Sequence, residues 1–397
     1  MNTKRAVLIM LLLLVSCGKS SKNPTAPPAD PAAVVVSTNP SDHPDFLCDG
    51  VADDIEINLA ILSADSASNW TVLLKPATYH VQHGINVTSR VTLRGSGPNT
   101  VIRLDDNAPG MQAAAGIVRI KDDTQRGVLK RVHHVTVEDL VVDGNRAYQA
   151  PGTGEKKFGL YAEGDFLTFR RVIARDCAGY GFDPHEHPDP IASTNVLIED
   201  CESYGNAADG FVLDHVMNAT VRRSYAHDND RHGFNLGTKT NAVTLSDNRA
   251  LRNGATGLMA QNGTHDVVIQ SCELGENALQ GMSLRDADGC SLLGNTFRAN
   301  RRSGLLLRLS DHTTVSGNSF AESDTGSIGR SVVTLDSAFV NVLSANTVSS
   351  TKAREGVLEA GTSDYNQVMN NIFSGPTQPV VLIGPHSTQS GNQIHVP

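Results

Sequence analysis

The sequence is poor in several features that mark common classes of protein. Aromatic residues make up only 5% of its 397 residues, and no apolar run is long enough to cross a bilayer as a helix. The formal net charge of −9 argues against the basic face of a general nucleic-acid-binding protein, so we expect no nucleic-acid partner. A local basic groove is compatible with this balance, and a polyanionic substrate is therefore not excluded.

Cysteines are also few. The six cysteines lie at positions 17, 48, 177, 201, 272 and 290, and no two have the Cys-x-x-Cys spacing of a zinc or redox site. If Cys17 is lipidated, five remain, and an odd number argues against a complete disulfide framework. The sequence therefore assigns no metal ligands, and nothing in it indicates an organic cofactor.

The N-terminus is typical of an exported, lipid-anchored protein. Lys4-Arg5 precedes a ten-residue apolar core, Ala6–Val15, and Leu14-Val15-Ser16-Cys17 resembles the bacterial lipobox. We predict a signal peptide over residues 1–16, a lipidated Cys17, a flexible linker over 17–41 and one folded domain over 42–397. The alternative is a plain secretion signal that happens to contain a cysteine.

Lipidation of Cys17 would place the protein at the cell envelope and would be its only attachment to a membrane. Gly18 after the cysteine is compatible with the outer membrane. Whether the protein faces the periplasm or the cell surface is left open by the sequence.

A repeat dominates the chain after residue 177. Glycine followed by a large apolar residue recurs every 23 or 24 residues, at Gly210-Phe211, Gly233-Phe234, Gly257-Leu258, Gly281-Met282 and Gly304-Leu305. An asparagine comes three or four residues before each pair. A second track with the same spacing runs through Cys177, Cys201, Ser224, Asn248, Cys272, Asn295 and Asn318. Short runs with alternating apolar residues lie between the tracks and predict strands.

A period in the low twenties with strands and no helical segment has two main explanations. Leucine-rich repeats share the period but require a Leu/Asn consensus that is absent here. We therefore predict an all-β, right-handed parallel β-helix, in which equivalent residues stack from coil to coil. Cys177, Cys201 and Cys272 would then be buried thiols in an inward ladder of small and polar residues.

An N-terminal helix is expected to cap the open end of this solenoid. In the segment 49–62, Asp53 or Asp54 can cap a helix whose Ile55, Leu59 and Leu62 fall on one face. The acidic residues are interpreted as helix caps.

The densest group of titratable side chains lies at residues 179–188. Tyr180, Asp183, His185 and Glu186 combine a phenol, an imidazole and two carboxylates, which is the mixture that proton transfer needs. The repeat predicts that the next two coils add Asp214 and then Arg231 and His232, because neighbouring coils are about 4.8 Å apart.

These residues carry a family resemblance. The strings Gly-Tyr-Gly-Phe-Asp-Pro-His-Glu at 179–186, Asp-Gly-Phe-Val-Leu-Asp at 209–214 and Asn-Asp-Arg-His-Gly-Phe-Asn at 229–235 resemble the catalytic module of the secreted, calcium-dependent bacterial mannuronan C5-epimerases. Asp-Gly-Asn-Arg at 143–146 and the segment 384–391 extend the likeness, and the segment 49–62 resembles the opening of pectate-lyase-like β-helix enzymes. The family fold is a right-handed parallel β-helix, as the repeat predicts independently.

The resemblance implies abstraction of H5 from a mannuronate residue of alginate, followed by protonation from the opposite face to give guluronate. It implies that His185 and Tyr180 are the acid/base pair and that Arg231 binds the substrate carboxylate, assisted by Asp183 or Asp214. Loss of the 4-linked sugar from the same intermediate would make the protein an alginate lyase instead. A third alternative is a non-catalytic alginate-binding lipoprotein.

Further substrate contacts are expected from His232, His215 and Glu186. Lys156 or Lys157 corresponds to a substrate-binding lysine of the family, which has an acidic residue where this chain has Phe158. The resemblance also implies a requirement for Ca²⁺, with ligands that the sequence does not identify. We expect a monomer whose partner is alginate.

Overall fold

The computed structural model describes residues 33–67, 70–108, 115–121, 131–149, 157–186, 191–326, 329 and 331–395. The predicted signal peptide and Cys17 lie outside these residues. In the described part, none of the helices has the length and apolar character needed to cross a membrane.

The residues described in the structure form one α-helix and a long series of short strands. The helix is α1 (Asp54–Ala67), and single 3-10 turns occupy Pro40–Asp42 and Arg146–Tyr148. The first strands are β1 (Val34–Ser37), β2 (Phe46–Leu47), β3 (Thr71–Leu74), β4 (Ala77–Val81), β5 (Ile85–Asn86), β6 (Thr92–Arg94), β7 (Thr100–Leu104), β8 (Ala115–Ile120), β9 (Val132–Asp143), β10 (Lys157–Ala162), β11 (Gly164–Arg175) and β12 (Phe182–Pro184). They are followed by β13 (Ser193–Glu199), β14 (Glu202–Tyr204), β15 (Phe211–Asp214), β16 (Val216–Arg222), β17 (Tyr225–His227), β18 (Phe234–Gly237), β19 (Asn241–Ser246), β20 (Arg249–Leu251), β21 (Leu258–Gln270), β22 (Glu273–Gly275), β23 (Met282–Asp288) and β24 (Ser291–Leu293). The last strands are β25 (Thr296–Arg298), β26 (Leu305–Arg308), β27 (Thr314–Ser316), β28 (Ser319–Ala321), β29 (Val333–Asp336), β30 (Val342–Ser344), β31 (Thr347–Ser349), β32 (Glu355–Ala360), β33 (Gln367–Met369), β34 (Ile372–Ser374), β35 (Gln378–Val381), β36 (Thr388–Ser390) and β37 (Gln393–His395).

All strand pairings are parallel and join each coil to the next, which confirms the predicted right-handed parallel β-helix. We call the three faces the front, second and third sheets. The front sheet contains β5, β8, β10, β12, β15, β18, the start of β21, β23, β26, β29, β32 and β35. The second sheet contains β13, β16, β19 and their stacked equivalents, and the third contains β14, β17, β20 and theirs.

Alternation along each strand explains the core. Side chains of a strand point to opposite faces, so every second residue enters the solenoid. Phe182, Phe211 and Phe234 occupy equivalent inward positions of the front sheet and stack with ring centroids 4.7 and 4.9 Å apart. The glycine before each ring is required because a Cβ there would meet the backbone of the next coil; at Gly233 it would lie 2.6 Å from the carbonyl oxygen of Gly257.

Two ladders of buried polar residues stack along the turns of the solenoid. One runs through Asn206, Asn229 and Asn253, and the other through Cys201, Ser224 and Asn248. Asn206 donates through Nδ2 to Asn229 Oδ1 at 2.8 Å, and the ladder continues through the following coils. Cys177 heads this ladder, since its backbone N–H donates to Asn206 Oδ1 at 2.9 Å. Its assignment to the ladder of Cys201 and Cys272 was therefore wrong. Cys177 and Asn206 are 29 residues apart, so this coil is longer than the regular period, and the 24-residue step from Cys177 to Cys201 does not join equivalent positions.

The thiols of Cys177, Cys201 and Cys272 are buried and free, as predicted. Burial raises the pKa of each of these thiols, which disfavours the reactive thiolate.

Helix α1 packs against the first coils but with a different face from the one predicted. Ile57, Ala60, Ile61 and Ala64 are buried, whereas Ile55, Leu59 and Leu62 are exposed. The sequence places apolar residues on both sides of this helix, and only the contact with the coils decides which side is buried.

The predicted capping role of the acidic residues is also corrected. Asp53 accepts hydrogen bonds from the backbone N–H groups of Gly50 and His80, and Asp54 accepts one from Gln82 N at 2.8 Å. These hydrogen bonds attach the start of the helix to the β4 coil and do not cap the first turn of α1.

The solenoid begins earlier than the predicted boundary at residue 42. Strand β1 lies within the segment assigned to the linker, pairs with β2 and β3, and buries Val34 and Val36. The apolar run of valines at 34–36 is the signal that marks this strand.

Candidate active site

The front sheet brings the predicted site residues together on its outward face. Strands β10, β12, β15 and β18 are consecutive neighbours in this sheet, with Leu160, Phe182, Phe211 and Phe234 in register on the inward face. Alternation along the strands puts the register partners Tyr161 and Asp183, and likewise Asn235, on the opposite, outward face. Side chains far apart in the chain thereby meet on adjacent rungs.

His185 lies between two carboxylates. Its Nδ1 is 3.7 Å from Asp183 Oδ1 on its own coil and 3.6 Å from Asp214 Oδ2 on the next. Asp183 is only 2% exposed, whereas His185 and Asp214 are partly open to solvent. Burial lowers the pKa of His185, but the carboxylate charges of Asp183 and Asp214 outweigh it, so the pKa lies above that of an ordinary histidine.

Tyr180 lies two residues before strand β12. Its ring stacks on Phe158 of the preceding coil with centroids 4.9 Å apart. Burial raises the pKa of Tyr180, and the nearby charge of Asp209 adds to this, while Arg231 opposes it. The net effect is upward, so the phenol stays protonated and can donate a proton.

Arg231 projects into solvent beside Tyr180, with 49% of its side chain exposed. Its Nε is 3.6 Å from Oδ1 of Asp209, a fully buried carboxylate. Asp209 also accepts hydrogen bonds from His232 N at 2.8 Å and from Asn235 Nδ2 at 2.9 Å. A planar guanidinium held in this way is suited to a ligand carboxylate.

Asp209 and Asn235 were not predicted as site residues. The sequence offered one signal for Asp209: it directly precedes the repeat glycine Gly210, a position at which the next two coils have His232 and Thr256.

His232 is buried, and its protonation is determined by its backbone contact. Thr256 N–H donates to His232 Nδ1 at 3.2 Å, so Nδ1 is unprotonated and the hydrogen is carried by Nε2. Burial lowers the pKa of His232, which keeps the ring neutral.

The remaining predicted substrate contacts differ in their partners. Glu186 and His215 pair with each other, with Oε2 and Nδ1 2.6 Å apart. Lys157 is buried and donates to Gln149 Oε1 at 2.6 Å, so its charge is directed at that amide. Lys156 lies outside the described residues.

The coil of β10 contributes two residues that the sequence interpretation missed, Tyr161 on the strand and Glu163 directly after it. The phenol of Tyr161 donates to Glu163 Oε1, and its ring centroid is 5.6 Å from that of His185. The coil of β10 lies before the regular Gly-apolar repeat, so no spacing placed these residues at the site.

Two further motifs of the resemblance have structural partners. Asp143 is buried between Arg103 and Arg175, which bind it at 2.9 and 3.0 Å. The turn at Gly384 is held by Glu359, a buried carboxylate that accepts hydrogen bonds from Ile383 N and Gly384 N.

One group in the described part of the chain has the proximity of a metal site: Cys48, Asp53 and Glu56, whose ligand atoms lie within 4.8 Å of one another. It does not fit calcium, which prefers six to eight oxygen ligands. Both oxygens of Asp53 are already hydrogen-bonded to backbone, and burial raises the pKa of Cys48, which keeps this residue a thiol.

Comparison with known proteins supports the fold and identifies relatives. A family described as a right-handed β-helix region matches residues 191–320, and one described as periplasmic copper-binding protein (NosD) matches residues 261–389. Mannuronan C5-epimerase AlgE4 of Azotobacter vinelandii is 30% identical over 394 residues, which span 87% of this chain and 66% of that protein. The chain belongs to the mannuronan C5-epimerase family.

Other members support the same assignment. Mannuronan C5-epimerase AlgE5 of A. vinelandii is 34% identical over 266 residues, 62% of this chain but only 25% of that longer protein. The solved A-module of A. vinelandii epimerase AlgE6 superposes with a TM-score of 0.81 at 27% identity, covering 89% of this chain and 98% of the module. Alginate lyase 7 of the same organism is 31% identical over 209 residues, 49% of this chain and 23% of that protein.

Proposed function

We propose that the protein is a mannuronan C5-epimerase that converts β-D-mannuronate to α-L-guluronate within alginate. The observation that carries the proposal is the arrangement of His185 against Asp183 and Asp214, with Tyr180 and Arg231 influencing each other on the neighbouring coils. It combines a base, a phenolic acid and a carboxylate-binding cation on one face of the front sheet.

The reaction begins with the substrate carboxylate bound by Arg231, which reduces its negative charge and makes H5 more acidic. His185 then takes H5. Because Nδ1 faces Asp183 and Asp214, Nε2 is the nitrogen left to accept the proton. The raised pKa of His185 makes its neutral form a stronger base.

The electron pair left at C5 is delocalised into the carboxylate, and Arg231 stabilises the resulting enolate. Tyr180 completes the epimerisation by donating its phenolic proton to C5 from the opposite face. Two proton transfers on opposite faces invert C5 without breaking the glycosidic bond.

The proposal is tested by proton NMR of polymannuronate incubated with the protein in deuterated water. We expect guluronate signals that carry deuterium at C5. If no guluronate forms, with or without calcium, the epimerase proposal fails; retained binding to the polymer would then favour a non-catalytic alginate-binding protein.

The similarity to alginate lyase 7 favours one second candidate, β-elimination at the same site. Here the electron pair at C5 expels the 4-linked sugar and leaves an unsaturated uronate end. Ultraviolet absorbance of those ends detects this reaction, and a flat trace with polymer of unchanged length would exclude it.

Calcium dependence, implied by the family, is proposed without assigned ligands. We expect chelation with EDTA to reduce the rate and added Ca²⁺ to restore it. An unchanged rate in excess EDTA would remove calcium from the proposal.

We also propose that the protein is a lipoprotein of the cell envelope, anchored through Cys17. The support is the sequence Leu14-Val15-Ser16-Cys17 after an apolar core. Labelled palmitate should enter the wild-type protein and be absent from Cys17→Ser, and membrane fractionation should locate the labelled form in the outer membrane.

A further inference from the structure

The front sheet places a buried carboxylate beside the proposed base. Ala162 and Pro184 are register partners, so Glu163 and His185 are the next residues on adjacent coils and point to the same outward side. Glu163 is only 2% exposed. Burying a carboxylate is costly, and such a group is normally held by hydrogen bonds or by a charge.

The contacts of Glu163 satisfy only one of its two oxygens. Oε1 accepts the hydrogen bond from the phenol of Tyr161, whereas Oε2 is buried and has no hydrogen-bond partner in the described part of the chain. An imidazolium formed at His185 would supply the missing positive charge. The negative charge of Glu163 is therefore uncompensated before proton transfer and is compensated by the imidazolium of His185 after it.

The two coils are also fastened to each other at this point. Ser193 Oγ donates to the carbonyl oxygen of His185 and accepts from Gly164 N at 2.9 Å. One hydroxyl thus connects the backbone next to Glu163 with that of His185. This connection limits relative movement of the two side chains, as a preorganised site requires.

We propose that Glu163, held by the phenol of Tyr161, is a positioning residue that tunes the proton affinity of His185. The inference rests on the proposed epimerase function and adds a role for strand β10. The groups facing His185 are Asp183 on its own coil, Asp214 on the following coil, and Tyr161 and Glu163 on the preceding one. Glu163 stabilises the imidazolium and makes neutral His185 a stronger acceptor for H5.

Glu163→Gln is the decisive variant, because it removes the charge but keeps the shape. The midpoint of the His185 titration, followed by NMR of the full-length protein with labelled histidine, should move to lower pH. The His185 signal is assigned by its absence from His185→Gln. In the same variant, the acid limb of the rate–pH profile should also move to lower pH, and the limiting kcat should fall about tenfold because the base is weaker.

Tyr161→Phe and Glu202→Gln complete the design. Tyr161→Phe keeps the ring but releases the carboxylate, and should give a smaller shift in the same direction. Glu202 lies on the third sheet, where its Oε1 is 2.9 Å from Nε2 of His227. Glu202→Gln removes this carboxylate and should leave the His185 midpoint unchanged.

The outcomes separate this inference from the proposed function. An unchanged His185 midpoint in Glu163→Gln overturns the inference even if the wild type epimerises alginate. If the His185 midpoint shifts in Glu163→Gln but the wild type forms no guluronate, the electrostatic coupling stands and the epimerase proposal is rejected. Circular dichroism melting identifies any variant that fails to fold.

Discussion

Two regions of the front sheet have the same backbone and different outward faces. Around β12–β18 the outward positions include Asp183, Asp214 and Asn235. In β23, β26 and β29 the positions in register with Asn235 are Ser283, Leu306 and Thr334. The inward positions of both regions are large and apolar. The comparison indicates that core packing constrains the inward-facing residues of the front sheet. The outward-facing residues of a few coils can therefore form a reactive site without a change in the backbone.

The largest effect is expected from removing the proposed acid. Tyr180→Phe keeps the stacking on Phe158 and removes the proton donor, so we expect the epimerisation rate to fall by about 100-fold or more. Thr334→Val removes a hydroxyl from the equivalent face several coils away and should change the rate by less than about twofold. Comparable losses in both variants would contradict the contrast between the two regions.

A second test compares two arginines in one column. Backbone hydrogen bonds connect Arg231, Ala255, Leu279 and Arg302 from coil to coil. Loss of a charged hydrogen bond costs about 1.5–3 kcal/mol, so Arg231→Gln should lower kcat/KM by roughly 10- to 150-fold. Arg302→Gln should have little effect on the same measurement. If Arg302→Gln were equally damaging, the reactive region would extend further along the solenoid.

A smaller effect is expected at Asp209, which positions Arg231 and the backbone of His232. Asp209→Asn removes the charge and one acceptor, and we expect kcat/KM to fall by about tenfold. Asp228→Asn, which breaks an exposed pair with Arg252 on the third sheet, is the matched control. Equal activity of Asp209→Asn and wild type would show that Arg231 needs no fixed partner.

The smallest effect on activity is expected from the asparagine ladder. Asn253 and Asn300 are both buried and donate to the carbonyl oxygens of Ala226 and Leu274. Alanine at either position should lower the free energy of unfolding by about 1–3 kcal/mol while leaving activity per folded molecule unchanged. Thermal melting and active-site-normalised rates measure the two quantities. A selective loss of activity in Asn253→Ala would mean that the ladder also positions the site.

The fold could be predicted because the residues that specify it recur at a fixed interval along the sequence. Glycine and phenylalanine recur where coils must approach and fill the core, so the repeat at Gly210, Gly233 and Gly257 predicted the β-helix without any contact being known. The buried face of α1 could not be predicted, because Ile57 and Ile61 compete with Ile55 and Leu59 and only docking chooses between them. Strand β1 was missed for a related reason. Its short apolar run follows a polar linker and lies outside the regular repeat, so no fixed spacing relates it to β2 and β3.

The order of the coils that carry the candidate site was predictable inside the repeat, whereas the residues that precede the repeat were missed. Tyr180, Asp214 and Arg231 were assigned to three successive coils, and the pairing of β12, β15 and β18 gives the same order. Tyr161 lies on β10 and Glu163 directly follows it, ahead of the regular spacing, and the role we propose for them depends on burial that no sequence pattern reports.

The sequence by itself determined the coil period, the inward stacking of aromatic rings and the titratable groups available on each coil. Only the tertiary structure decided which groups face one another and in which protonation state. The physical reason is that stacking brings residues more than twenty positions apart to within about 5 Å. Burial and neighbouring charges, which exist only in the folded solenoid, then raise the pKa of His185 and Tyr180 and lower that of His232.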